Sequence, residues 1–186
     1  MSRATVSLSQ FGNTVGYSYR YDQLNRLKRM RQHPLTIGVP SWDASTAGTA
    51  YQEDVTYDAD GNRVSKVYTH GTQVDKMWYV RDVSGNVLAV YENKDGDGNV
   101  YWKEQQLYGT SRLGSWYPDL SINAGASGTA TLWSATNKKQ YELSNHLGNI
   151  VATVSDELKS DNTALVLSAN NYYPFGMIQP DIVPNH

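Results

Sequence analysis

The sequence contains no cysteine, so it can build neither a disulfide framework nor a thiolate nucleophile. Neither sign of charge is in excess: 16 Lys and Arg stand against 18 Asp and Glu, a formal net charge of -2. That balance gives no global attraction to nucleic acid or to an acidic membrane surface. No apolar run approaches the roughly 18 residues that a membrane helix needs, so no membrane span is expected. The opening stretch "MSRATVSLSQFGNTVGYSY" lacks the basic start and apolar core of a secretory signal. Phosphate-loop and dinucleotide fingerprints and the G-x-S-x-G elbow are also missing. Phenylalanine is scarce, with 2 residues against 14 Tyr and 5 Trp. Tyr and Trp favour half-buried strand surfaces, where the ring packs and the polar tip stays wet. With 15 glycines beside them, the composition predicts an all-β chain of short antiparallel strands joined by tight turns.

One phrase recurs. "YDADGNRVSKVY" from Tyr57 is echoed by "RDVSGNVLAVYE" from Arg81 and by "SNHLGNIVATVS" from Ser144. Asp22, Asp58, Asp82 and Asn145 share one slot, and weaker copies sit at Tyr108 and Tyr173. The intervals are uneven, 36 residues from Asp22 to Asp58 and 24 from Asp58 to Asp82, in the range of repeat architectures whose units stack. Each copy reads as strand, turn, strand. The Asx residue starts the turn by bonding backbone two residues on. Gly61, Gly85 and Gly148 supply positive φ, and Asn62, Asn86 and Asn149 are read as tolerating it. The acids are thus expected to form turns and to do no catalysis.

Three segments rich in small polar residues, 43–50, 123–137 and 159–171, are expected to be loops or irregular hairpins. "HPLTIGVPSW", with two prolines, suits an edge or crossing segment. "YDQLNRLKRMRQ" is the one stretch with any helical spacing, but the repeat favours a strand there. The whole chain, 1–186, is read as a single repeat region.

"YSYRYDQLNRL" and "VTYDADGNRV" resemble the YD repeat of bacterial RHS-repeat proteins and the related teneurins. "KEQQLYGTSRLG", "YELSNHLGNIVATVSD" and "NYYPFGM" resemble the RHS-repeat-associated core region. The resemblance spans about Tyr17 to Met177. It implies a β-sheet that spirals into a hollow shell, which in bacterial toxins encloses a C-terminal effector and in teneurins belongs to an adhesive ectodomain. It also implies a chain secreted or displayed as part of a larger exported protein. Partners would be further YD repeats or an enclosed effector, with self-association through open sheet edges. The family's self-cleavage uses an Asp-Pro-x-Gly region. This sequence has no Asp-Pro dipeptide and ends "FGMIQPDIVPNH", so self-cleavage is carried over to no residue and no enzyme is expected.

Four constellations remain. Counting from Asn93, EF-hand slots 1, 3, 5 and 12 hold Asn93, Asp95, Asp97 and Glu104, with Gly98 at slot 6, which would suit calcium. Slot 1 is an amide and strands flank the loop, so a solvated Asp-Gly hairpin explains the same letters, and no cofactor is assigned. His33, His70, His146 and His186 form no ligand pair, whereas zinc needs three or four convergent donors. "RLKRMRQH", 26–33, is basic, with Arg29 and Arg31 on one strand face and Lys28 and Met30 on the other; phosphate binding is the alternative to the expected reading, a solvated edge that discourages strand pairing. Tyr57, Trp78, Tyr79, Tyr91, Tyr101, Trp102, Trp116 and Tyr117 fit packing between strands. The alternative is a sugar-stacking face on an adhesive or carbohydrate-binding module.

Overall fold

A computed structural model describes residues 2–8, 13–35, 51–94, 97–124 and 129–179. The chain is all-β and antiparallel, and its contacts gather into two compact units, Met1–Tyr101 with Ser121–Asn123, and Trp102–Leu120 with Ala124–His186.

The first unit is a meander of β1 (Ser2–Leu8), β2 (Asn13–Tyr21), β3 (Leu27–Leu35), β4 (Gln52–Tyr57), β5 (Arg63–His70), β6 (Gln73–Arg81) and β7 (Val87–Asn93), each paired with the next. Alternating β-branched and aromatic residues, as in "VTY" or "MWYV", suit a pleated surface buried on one side at a time. Most described strand side chains are half-buried. Among the described side chains of this unit, Val55, Ala89 and Val90 are the buried apolar ones. The β5–β6 connection is a two-residue turn at Gly71 and Thr72, with φ +59° at Gly71. Ile122 N donates to the Val100 carbonyl, and Asn123 bonds Val100 N and the Gly98 carbonyl, which ties that short segment to this unit.

The second unit orders β8 (Tyr101–Tyr108), β9 (Arg112–Trp116), β11 (Lys139–Ser144), β12 (Ile150–Leu158) and β13 (Ala164–Ala169). A two-residue strand β10 (Leu120–Ser121), a 3-10 turn (Ile122–Ala124) and the helix α1 (Thr129–Ser134) lie between β9 and β11. Trp116 is buried and meets Trp102 and Trp133 edge-on, at centroid distances of 5.1 and 5.0 Å. Such pairs contribute about 0.5–1.5 kcal/mol each beyond their area.

Several expectations are revised. The basic stretch 26–33 is no edge: β3 pairs with both β2 and β4. The reason is complementarity, because β4 sets Asp54 opposite Arg29, bonded at 2.5 Å, and Gln52 opposite Arg31, bonded at 2.6 Å. Pro34 lies beyond that stretch, where β3 pairs with Val15 of β2 and has no β4 partner among the described residues, as a residue without N–H requires. Segment 159–171 is an irregular hairpin, as expected: Lys159–Thr163 turn into β13, whose register against β12 slips twice. Within 123–137 the chain forms α1, although no helix signal marks it. Tertiary contact overrides propensity there, since Trp133 packs against Trp116. Residues 43–50 lie outside the described residues.

Candidate functional site

The recurring phrase folds into one five-residue turn, found six times among the described residues. In each, the first residue's N–H donates to the carbonyl of the fifth, and the fourth N–H donates back to the carbonyl of the first. The turns are Asp22–Arg26, Asp58–Asn62, Asp82–Asn86, Asn145–Asn149, Lys159–Thr163 and Tyr173–Met177. This is a type I turn followed by a left-handed residue. The fourth position has positive φ throughout: Asn25, Gly61, Gly85, Gly148, Asn162 and Gly176.

The first residue's side chain closes four of them. Asp22 Oδ1 accepts the N–H groups of Leu24 and Arg26, Asp82 Oδ1 those of Ser84 and Asn86, and Asn145 Oδ1 those of Leu147 and Asn149. Asp58 Oδ1 accepts from Asn62 N at 2.8 Å. The following asparagines do not take positive φ. Asn62 and Asn86 instead turn their amides back onto the second carboxylate oxygen, at 3.2 and 2.9 Å. Where the anchor carries no acid, as at Lys159, Asp161 supplies the acceptor to Thr163 from within the turn.

These bonds set the acidity. Backbone donation from Arg26 holds the Asp22 carboxyl below its ordinary pKa, and donation from Asn86 does so at Asp82. At Asp58 burial pushes upward, but the Asn62 donors outweigh it and the pKa falls. A carboxylate held this way is a poor proton acceptor.

A second regularity ties one turn to the next. Just inside four of the turns the register slips, so that Lys28, Val64, Leu88 and Val151, each six residues after its anchor, bulge from the ladder. At three of the bulges the carbonyl immediately before is met by the side chain that precedes a later anchor. Tyr57 OH donates to the Leu27 carbonyl at 2.8 Å, Arg81 Nε to the Arg63 carbonyl at 3.0 Å, and Tyr172 OH to the Ile150 carbonyl at 2.7 Å. Arg26 adds to this by donating to the Asp58 carbonyl at 3.0 Å and lying 4.8 Å over the Tyr57 ring. A Cβ on Gly85 would fall 2.8 Å from Asn62 Oδ1, so successive turns touch.

Of the calcium candidates, Asp95 lies outside the described residues. Asp97 accepts from Asn93 Nδ2, Asn99 N, Asn99 Nδ2 and Tyr101 OH, and Asn99's backbone N–H leads in holding its carboxyl below the ordinary range. Glu104 belongs to the second unit, where it accepts from Gln106 and Ser115. No cluster of three metal-ligating acids or histidines occurs among the described residues. His33 is buried against Ser18 Oγ at 2.8 Å, His70 stacks on Tyr51 at 4.3 Å, and His146 sits exposed in its turn. His186 lies outside the described residues.

One polar group was not foreseen. Lys139, buried, bonds Asp156 at 3.0 Å and lies 4.9 Å from the Trp133 ring, while Asp156 also accepts the Lys138 and Lys139 N–H groups. Burial raises the Asp156 pKa, but the Lys139 ammonium and these donors prevail and lower it. The pairing spans 17 residues, so spacing gave no hint of it.

No protein-family model matches the chain, and no curated protein matches its sequence. No helix among the described residues is long and apolar enough to cross a membrane.

Proposed function

We propose that this chain is a non-catalytic wall segment of an RHS-type shell, one that would enclose a C-terminal effector within a longer exported parent. The observation that carries the reading is the set of cross-repeat bonds Tyr57 to Leu27, Arg81 to Arg63 and Tyr172 to Ile150. They bind turn to turn within each unit, which is what a wall must do and what an active site does not need. The acids of the phrase are consumed by backbone donors, so the repeated letters serve shape. Sheet edges left open recruit further strands, and the isolated chain should associate with concentration. Sedimentation velocity tests this. A monodisperse monomer, with full hydrogen-exchange protection of β1 and β13, overturns the reading.

A second reading is an adhesive or carbohydrate-directed module. Trp78, about one-third exposed, lines an apolar cleft of about 330 Å³ with Tyr91, Val100 and Ile122. Glycan-array binding abolished by Trp78→Ala favours it, and binding unchanged by that substitution removes it.

A further inference from the structure

The first turn departs from its sisters at two positions. The residue two before the anchor and the bulged residue six after it are Thr56 and Val64, Val80 and Leu88, and Leu143 and Val151 in the other hairpins, all uncharged. In the first hairpin they are Arg20 and Lys28. Arg20 also stands directly opposite Arg29 in the β2–β3 register, and like charges so placed repel. Arg29 is neutralised by Asp54. Arg20 and Lys28 are exposed, and among the described residues no acid pairs with either.

Both line a cleft of about 550 Å³ with Tyr21, Asp22, Gln23 and Arg26. Asp22 offers them nothing: Oδ1 accepts the Leu24 and Arg26 N–H groups, and Oδ2 is bonded to Arg26 Nε at 2.7 Å. With that pair closed on itself, the cleft keeps two uncompensated cations, one a planar fork and the other a point charge. This is the donor set that recognises a tetrahedral oxyanion.

We propose that this cleft binds a phosphate-type oxyanion, with Arg20 and Lys28 as its two charged contacts and Gln23 as a neutral donor. The bound anion would offset the repulsion that the first hairpin alone carries. The idea is independent of the shell reading, because it rests on one hairpin's charges and not on how repeats join.

The test is thermal unfolding of the full chain at low salt, titrated with inorganic phosphate. Wild type should show a saturable rise in Tm, half-complete on the order of millimolar. Arg20→Thr with Lys28→Val, which installs the residues of the second hairpin, should raise Tm in phosphate-free buffer by about 1–4 °C. The same double variant should retain only the non-saturating rise that excluded salts produce generally. Lys76→Gln, on β6, should respond as wild type does. A phosphate response that survives the double substitution, or that is absent from wild type, overturns the proposal. If the double variant loses Tm, Arg20→Gln alone decides by whether the midpoint of the titration moves to higher phosphate. An esterified source is told from the free ion by repeating the titration with a phosphorylated sugar: equal midpoints mean that the anion alone is read, and a lower one that the rest of the ligand is held as well.

Discussion

The two units are built from the same hairpin but held together differently. In the first, the buried apolar residues among those described are Val55, Ala89 and Val90, and bonds between neighbouring turns run along one edge, reinforced by Arg26 over Tyr57 and by Arg63 and Arg81 over Tyr79. In the second, Trp116 and Lys139 are buried beneath Trp133 of a short helix, and the Tyr172 bond is of the same kind as those of the first unit. Turn-to-turn bonding is therefore the common element, and the tryptophan cluster is an addition. A repeat unit can gain stability from its neighbours through hydrogen bonds at the turn, without a thick core.

The contrast can be broken most forcefully at the cluster. Trp116→Ala should cost about 3–5 kcal/mol. In urea unfolding followed by hydrogen exchange, β9 and β11 should lose protection while β4 and β5 keep theirs. Lys139→Met comes next, at about 2 kcal/mol, because it takes the ammonium from the half-buried Asp156 and leaves it only the Lys138 and Lys139 backbone donors. It also moves a pH limit. The lowered Asp156 pKa means that its contribution is present above the unfolded carboxyl value near 3.9, and is lost as pH falls through the lower folded value. Wild type should therefore lose more stability than the variant as pH falls, so that the gap between them narrows in urea midpoints read by tryptophan fluorescence.

In the first unit, Gly61→Ala should cost about 1–2 kcal/mol, since φ is +93° there. Guanidinium midpoints measure it. Tyr57→Phe and Tyr172→Phe, one per unit, should each lose about 1 kcal/mol. Equal losses would make the bond a shared device, whereas a loss at one site alone would confine it to that unit. Smallest is Asn25→Gly, a gain of about 0.5 kcal/mol, because glycine occupies a left-handed position more freely than asparagine does.

The turn was legible because its chemistry is local: an Asx anchor and a residue tolerant of positive φ lie within five letters of each other. The tyrosine before the anchor was visible as a letter but not as a donor, because its acceptor lies 30 residues back for Tyr57 and 22 for Tyr172. Asn62 and Asn86 were read one position off in function, as left-handed residues when they are donors to the anchoring carboxylate. The basic strand was misread for the same reason as Lys139 and Asp156, since Asp54, which neutralises Arg29, comes from another strand, as Asp156 does for Lys139. The helix α1 follows from packing and has no local signature.

Consider finally where the uneven intervals arise. Asp22, Asp58 and Asp82 all anchor turns joining an even-numbered strand to the next odd one, at one end of their unit's meander, and adjacent copies touch there. The return connections differ in length: residues 36–51 between β3 and β4, but only Gly71 and Thr72 between β5 and β6. Length variation is thus tolerated at the end without the phrase and forbidden at the other. Inserting a peptide at Gly71 should leave the hairpins intact, whereas the same insertion at Gly85 would separate two adjoining turns. The first unit has one margin for conserving its geometry and another for changing its content.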